Sequence, residues 1–253
     1  MGILALFVLI SINFEIIFDK KYKFNNRSAY SSYRFLLLCS SIFFLADIGW
    51  GFLNNIKPVI IAEIDTSLFF LAMSMVLLAL YRFIVKYLED KNVFTHIVLG
   101  IGYLFLIAGI ALIVINFFTP VLFTFEEETY ATRTGRNIYL TTQIVMYAVI
   151  SLYALIRALA HKGKKVTQHI AIAAAAMVMS AIIILQYFFP LMPFYSLGLI
   201  SALTIVNVFI ARVEKDSLRQ SIAEGLNREN EKSKQLENAQ ELAYKDPLTG
   251  VKN

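Results

Sequence analysis

Seven apolar stretches follow one another between residues 2 and 212, and almost all the charge is confined to the connections between them. Each stretch is close to the ~20 residues that a helix needs to cross the ~30 Å hydrocarbon core of a bilayer. Inside that core every backbone N–H and C=O must be satisfied without water, which such long runs achieve as helices. The stretches lie at roughly 2–18, 33–55, 66–87, 94–118, 137–160, 168–189 and 193–212. They predict an all-α membrane protein with a seven-helix transmembrane bundle over residues 1–212. The 2–18 run is the shortest. It has no positive stretch before it and no small-residue cleavage site, so it reads as a retained span rather than a secretory signal.

Composition agrees with this reading. Hydrophobic residues make up 58% of the 253 residues and charged ones 16%, where a soluble domain carries about a quarter charged residues. The net charge of +5 does not point to nucleic acid, because the positive residues flank the spans and form no basic patch interleaved with aromatics. Cys39 is the single cysteine, which excludes an intrachain disulfide.

Lysine and arginine set the expected orientation. One set of connections carries Lys20, Lys21, Lys23, Arg27, Arg34, Arg82, Lys86, Lys91, Arg157, Lys162, Lys164 and Lys165, and the alternate set carries only Lys57, Arg133 and Arg136. Positive residues stay on the cytoplasmic side, so the N-terminus is expected outside and the C-terminus inside a bacterial cytoplasmic membrane. The connection with Glu126, Glu127 and Glu128 then falls outside. Lys162-Gly163-Lys164-Lys165 lacks the spacing of a phosphate loop and suits anionic lipid.

Ionisable and amide side chains inside spans are costly and mark candidate sites. Asp47, Asn54, Asp65, Asn116, Gln143 and Gln186 all fall in the expected outer half, where they could line a pocket for a small molecule or a membrane-borne signal. The alternative is that they bond one another between helices. Glu15 is placed to pair with Arg34 or to reach the interface alone. Trp50, Tyr139, Tyr187 and Tyr195 sit near outer ends and suit an interfacial aromatic belt. His96, His161 and His169 fall near cytoplasmic ends with no metal-ligand spacing, and no metal site is expected. The alanines and Ser180 of the sixth span allow close helix approach.

Beyond Arg212 the chain becomes polar and has no proline before Pro247. Leu218, Ile222, Gly225, Glu229, Lys232, Leu236, Ala239 and Ala243 recur at four-three spacing, the seam of a coiled coil. Its ends, at Leu218, Ile222, Leu236 and Ala239, are apolar and its middle is polar. Residues 213–244 therefore read as a cytoplasmic linker helix, either a solvated single helix or a weak parallel homodimer able to change register.

The chain then reads Asp246-Pro247-Leu248-Thr249-Gly250, with Asn253 three residues on. Pro247 stops the helix and pushes Asp246 out of helical geometry. The Asp246 carboxylate can bond amides in the following turn, and Gly250 can take a positive φ. This resembles the D-x-L-T-G-x-x-N opening of GGDEF domains, which in that family directly follows a linker helix. The resemblance covers about ten residues, 245–253 forming the start of such a domain. It implies a diguanylate cyclase, a cyclic di-GMP enzyme that uses GTP and Mg²⁺. In that family the metal-binding acids and the substrate turn lie downstream of this motif. No catalytic residue is therefore carried over, and no cofactor is expected in these 253 residues. The membrane region, including Asp47-Ile48-Gly49-Trp50, is similar to the sensor regions of such cyclases more loosely. The resulting expectation is a signal-sensing and transmitting module, with a transporter or channel, or a dimeric scaffold, as alternatives from other classes.

Overall fold

The structure is a computed structural model that describes residues 1–18, 27–53, 59–88, 93–126, 129–160 and 164–244. The described residues form helices α1 (Gly2–Ile12), α2 (Phe14–Phe18), α3 (Arg27–Leu53), α4 (Val59–Leu88), α5 (Val93–Asn116), α6 (Thr134–Ala160), α7 (Lys164–Phe188) and α8 (Phe194–Tyr244). A small antiparallel hairpin, β1 (Phe123–Glu126) and β2 (Thr129–Thr132), joins α5 to α6. The chain divides into two compact units, Met1–Ile210 and Ala211–Asn253.

The first unit is an all-α membrane bundle. Among the described residues six helices are long and apolar enough to cross a membrane: α3 to α7 and the Phe194–Val213 part of α8. The Gly2–Phe18 segment is different. Its longest continuous piece, α1, has 11 residues and at 1.5 Å per residue reaches only about 16 Å. It is broken at Asn13, where the backbone leaves helical geometry (φ −113°, ψ 16°).

The break has a polar cause. Asn13 is buried, and its side-chain amide donates back to the Leu9 carbonyl at 2.9 Å. Its side-chain oxygen accepts from the Tyr33 hydroxyl on α3 at 2.9 Å and from the Asn207 amide on α8 at 2.8 Å. Asparagine competes with the backbone for local hydrogen bonds and weakens a helix interior. Here that tendency ends α1 and leaves the side chain joining three elements. Of the two alternatives for Glu15, the pairing with Arg34 does not form: Arg34 donates to the Ile17 carbonyl, and Glu15 is exposed.

α4 is the central helix. Two-thirds (67%) of its most apolar window is buried, against 17% for α5 at the periphery. Neighbouring helices pair as α3 with α4, α4 with α5, α6 with α7 and α1 with α3, and α4 also meets α7. α6 and α7 meet through the small residues read from the sequence. Ala171, Ala173, Ala175 and Ala176 are buried, and Ser151 of α6 donates to the Ala173 carbonyl at 2.9 Å. Ser180 returns the contact with a bond to the Ile144 carbonyl at 3.3 Å. Small side chains bring two backbones within reach of such bonds.

The helices alternate in direction. Gly2 at the start of α1 lies against Asp47 near the end of α3, and Gly49 lies against Asp65 near the start of α4. The start of α6 bonds to the end of α7 through Arg136 and Gln186. One end of the bundle thus gathers the starts of α1, α4, α6 and α8 with the ends of α3, α5 and α7. The hairpin sits at the same end, closed by Asn116. The Asn116 side-chain oxygen accepts from the amides of Val121, Leu122 and Phe123, and its amide donates to the Phe123 carbonyl.

Of the four rings expected in an aromatic belt, Trp50 and Tyr187 are partly exposed and the other two are not directed outward. Tyr139 and Tyr195 are buried inside the bundle, not directed to its surface. Tyr139 shares a 2.7 Å hydrogen bond with Ser74 and stands edge-on to Phe70. Tyr195 packs on Phe43. Position near a span end does not distinguish an inward ring from an outward one. His169, expected at the interface, is likewise buried, with Nδ1 bonded to the Lys165 carbonyl.

In the second unit the described residues continue α8 to Tyr244. Ile222, Leu226, Leu236 and Ala239 are exposed on the single chain, and Gly225 has open space around it. The side chain of Leu218 lies outside the described residues. So do Asp246, Pro247, Leu248, Thr249, Gly250 and Asn253 of the motif, together with Asn54 and His161.

Candidate functional site: a charged, aromatic cleft at one end of the bundle

A narrow cleft with about 60 Å³ of internal space lies at the end of the bundle that carries the hairpin. Its walls come from α3, α4, α6 and α7, the hairpin, and the turn 190–193 between α7 and α8. Ligand sites combine apolar walls with a few placed polar groups, and the lining of this cleft has that mixture. Here Phe69, Phe70, Met73 and Leu140 give the apolar surface, and Asp47, Arg136 and Gln186 give the polar groups.

Arg136 enters from the first turn of α6. The residue is 3% exposed. Its Nη2 donates to the Gln186 carbonyl at 2.6 Å and its Nη1 to the Tyr187 carbonyl at 3.4 Å. These are carbonyls of the last turn of α7, where a helix leaves acceptors unsatisfied and its dipole favours a cation. The bonds hold the guanidinium in place without neutralising it. Among the described residues no carboxylate lies within ion-pair distance of Arg136, and the nearby Arg133 is paired with Glu126 of the hairpin.

Asp47 enters from α3 and is 8% exposed. Its carboxylate is approached by the Ser196 hydroxyl at the start of α8, by the Gly2 amide and by the N-terminal ammonium. Gly2 passes close to the same carboxylate, at a point where a β-carbon would come within 2.9 Å of Oδ2. A larger residue there would push the carboxylate or α1 aside.

Gln186 shapes the turn. Its amide donates to the Pro190 carbonyl at 3.0 Å, and its oxygen accepts from the Tyr195 amide at 3.1 Å. One side chain thereby fixes the exit from α7 and the entry to α8, with Pro190 to Pro193 of the turn facing the cleft.

The hairpin forms the aromatic side of the site. Tyr130 meets Trp50 edge-on at 5.2 Å, and Phe125 lies 6.3 Å from the same indole. Burial pushes the Tyr130 phenol above its ordinary pKa, and the adjacent Arg136 guanidinium partly opposes this. The hydroxyl is therefore held as a neutral donor.

The six residues expected to form a pocket separate into distinct roles. Asp47 and Gln186 line the cleft. Asp65 lies against Gly49 and close enough to Asp47 for the two carboxylates to repel, but it does not line the cleft. Asn116 is the organiser of the hairpin, and Gln143 is fully buried in α6 beside the Tyr139 hydroxyl. Asn54 lies outside the described residues. Arg136 was counted only as a charge outside the membrane, although an arginine in the first turn of a span, beside a long connection, was a signal for it. Trp50 was assigned to the interface. Tyr130 and the 190–193 turn carry no signal in a periodicity reading, because both belong to connections. Among the described residues no group of three His, Cys, Asp or Glu side chains is placed to hold a metal ion.

No protein-family model, curated protein or solved structure matches this chain.

Proposed function

We propose that the chain is the membrane sensor and transmission module of a diguanylate cyclase in a bacterial cytoplasmic membrane, with its N-terminus outside. A signal molecule enters the cleft from the outer side and changes the conformation of the 190–193 turn. α8 passes the change to a cyclase domain opening at Asp246. GTP and Mg²⁺ belong to that domain. The linker part of α8 works as a homodimer through Leu218, Ile222, Leu236 and Ala239, with membrane lipid around the bundle.

The observation that supports this reading most is the clamp at Gln186, which joins a wall of the cleft to the first turn of α8. A molecule in the cleft has the turn within reach, and the turn leads directly into the helix that ends at the GGDEF-like motif. A ligand shifts an equilibrium only by its differential affinity for the two states, and a cleft lined by the turn supplies a surface for that difference.

The test is output. The chain is joined in register after Asn253 to an intact GGDEF domain, and cyclic di-GMP is measured in cells. Gln186→Ala and Asp47→Asn should change cyclic di-GMP levels while membrane insertion stays intact. Unchanged output from both variants would leave the bundle as an anchor only.

A further inference from the structure

We infer that a second pocket, between the start of α4, the end of α5 and β1, is a site for a primary ammonium, carried by an ethanolamine-type lipid headgroup or a free small amine, with the Glu63 carboxylate as its counter-ion. The inference goes beyond the sensor reading and does not depend on it.

The pocket has room and one uncompensated charge. It encloses about 190 Å³ of internal space, against about 60 Å³ in the cleft. A cavity of about 150 Å³ holds a molecule the size of benzene, so an ethanolamine group fits. Glu63, Ser67, Asn116, Phe117, Phe118 and Thr124 line it. Glu63 is the single charged residue of the lining, and among the described residues it forms no ion pair. The nearby cation of the hairpin is already taken, because Arg133 pairs with Glu126.

The surrounding groups favour a positive donor. The Ser67 hydroxyl donates to the Glu63 carbonyl at 2.8 Å, which leaves its oxygen lone pairs to accept. Thr124 carries a second hydroxyl. α5 ends at this pocket, and the negative end of a helix dipole favours a cation. Asn116 holds the wall in place through its bonds to Val121, Leu122 and Phe123. A primary ammonium brings three donors and no acceptor, one for the carboxylate and the others for the hydroxyl oxygens. An anion would be repelled by both the carboxylate and the helix end.

The pocket also lies where headgroups lie. α4 has 30 residues, about 45 Å of helix, and the hydrocarbon core is only ~30 Å thick. The first turns of α4 therefore stand at headgroup level, and Glu63 is in the second. α5 is peripheral, with 17% of its most apolar window buried. Ile110, Val114 and Ile115 are exposed just before the pocket. Acyl chains lying along that face bring their headgroups to the end of α5.

The experiment measures lipid binding to the complete chain by native mass spectrometry from detergent. The probes are phosphatidylethanolamine, phosphatidylcholine and N-acetyl phosphatidylethanolamine with identical acyl chains. Phosphatidylethanolamine should bind about tenfold to a hundredfold more tightly than the other two, the difference expected for a charged hydrogen bond. Glu63→Gln should erase that preference, and Glu63→Asp should retain part of it. Each variant is first checked for unaltered elution and helicity. Ser67→Ala, which should weaken the preference by removing one acceptor, carries the test if Glu63→Gln fails that check. Calorimetry with free ethanolamine separates the sources: ethanolamine binding that is lost in Glu63→Gln, without any preference among the lipids, keeps the ammonium site and assigns it to a soluble amine. Equal binding of the three lipids with no ethanolamine binding overturns the inference. So does a preference unaltered by Glu63→Gln, or Mg²⁺ binding at Glu63 in place of any amine. None of these readouts uses cyclic di-GMP, so failure here leaves the sensor reading standing, and unchanged cyclase output leaves the ammonium site standing.

Discussion

Arg136 donates to the main-chain oxygen of Gln186 at 2.6 Å, and this one bond links the first turn of α6 to the last turn of α7 at the mouth of the cleft. The same Gln186 holds the start of α8 with its side chain. Three helix ends are therefore positioned by two side chains. This follows from the chemistry of helix termini, where unsatisfied carbonyls attract a cation and a free amide attracts an acceptor.

Loss of that cation should show in stability. Arg136→Gln removes charged hydrogen bonds to two carbonyls and is expected to cost about 1.5–3 kcal/mol. Arg136→Lys should fall between it and the parent, since a lysine retains the charge but not the fork. Denaturation in detergent, followed by circular dichroism, reads both. Equal stability of all three proteins would mean that water replaces the guanidinium at the end of α7.

The Asn13 link can be measured by a double-mutant cycle with Asn207. Hydrogen bonds between membrane helices average about 0.6 kcal/mol and rarely exceed about 1.7. Asn13→Ala and Asn207→Ala should each destabilise the bundle, and the double variant should lose less than the sum by an amount in that range. Strict additivity would show that the two amides do not interact.

Orientation rests on the excess of lysine and arginine on one set of connections. A reporter active only in the cytoplasm should work when fused at residue 163 and remain silent at residue 128. The reverse pattern would put the cleft on the cytoplasmic side and remove an external signal from consideration.

The linker prediction concerns the exposed apolar residues of the second unit. Cysteines placed singly at Leu218, Ile222, Leu236 or Ala239, in a Cys39→Ser background, should cross-link between chains faster than cysteines at Arg219 or Gln240. One residue inserted between Ile222 and Leu236 rotates everything downstream by about 100° and should uncouple signal from output in the fused cyclase. A flat cross-linking profile favours a passive single helix instead.

The helices were legible in the sequence because hydropathy and length report directly on bilayer crossing. The predicted spans at 66–87 and 137–160 fall inside α4 and α6. Residues 2–18 were less legible. Hydropathy counts Asn13 as one polar residue in an apolar run, whereas the fold uses it to break the helix and join α3 and α8. The site was legible only in part. Asp47 and Gln186 stood out as polar residues within spans, but depth along a helix does not give rotation about it. Gln143 and Asp65 therefore shared their expected depth and not their role. The hairpin was hidden because its strands are four residues long, too short for alternation to separate them from a loop.

The Asn13–Asn207 contact also has a bearing on when this molecule becomes complete. The two residues are 194 positions apart, so at translation speeds of about 5–20 residues per second roughly 10–40 s pass between the emergence of one and the other. During that interval α3 holds α1 and α2, through Tyr33, Tyr30 and Arg34. α8 arrives later and supplies a second anchor. A segment around Asn13 is thus fastened by a helix that emerges 194 residues later, and a ribosome that stalls before Asn207 leaves that segment without its second tether.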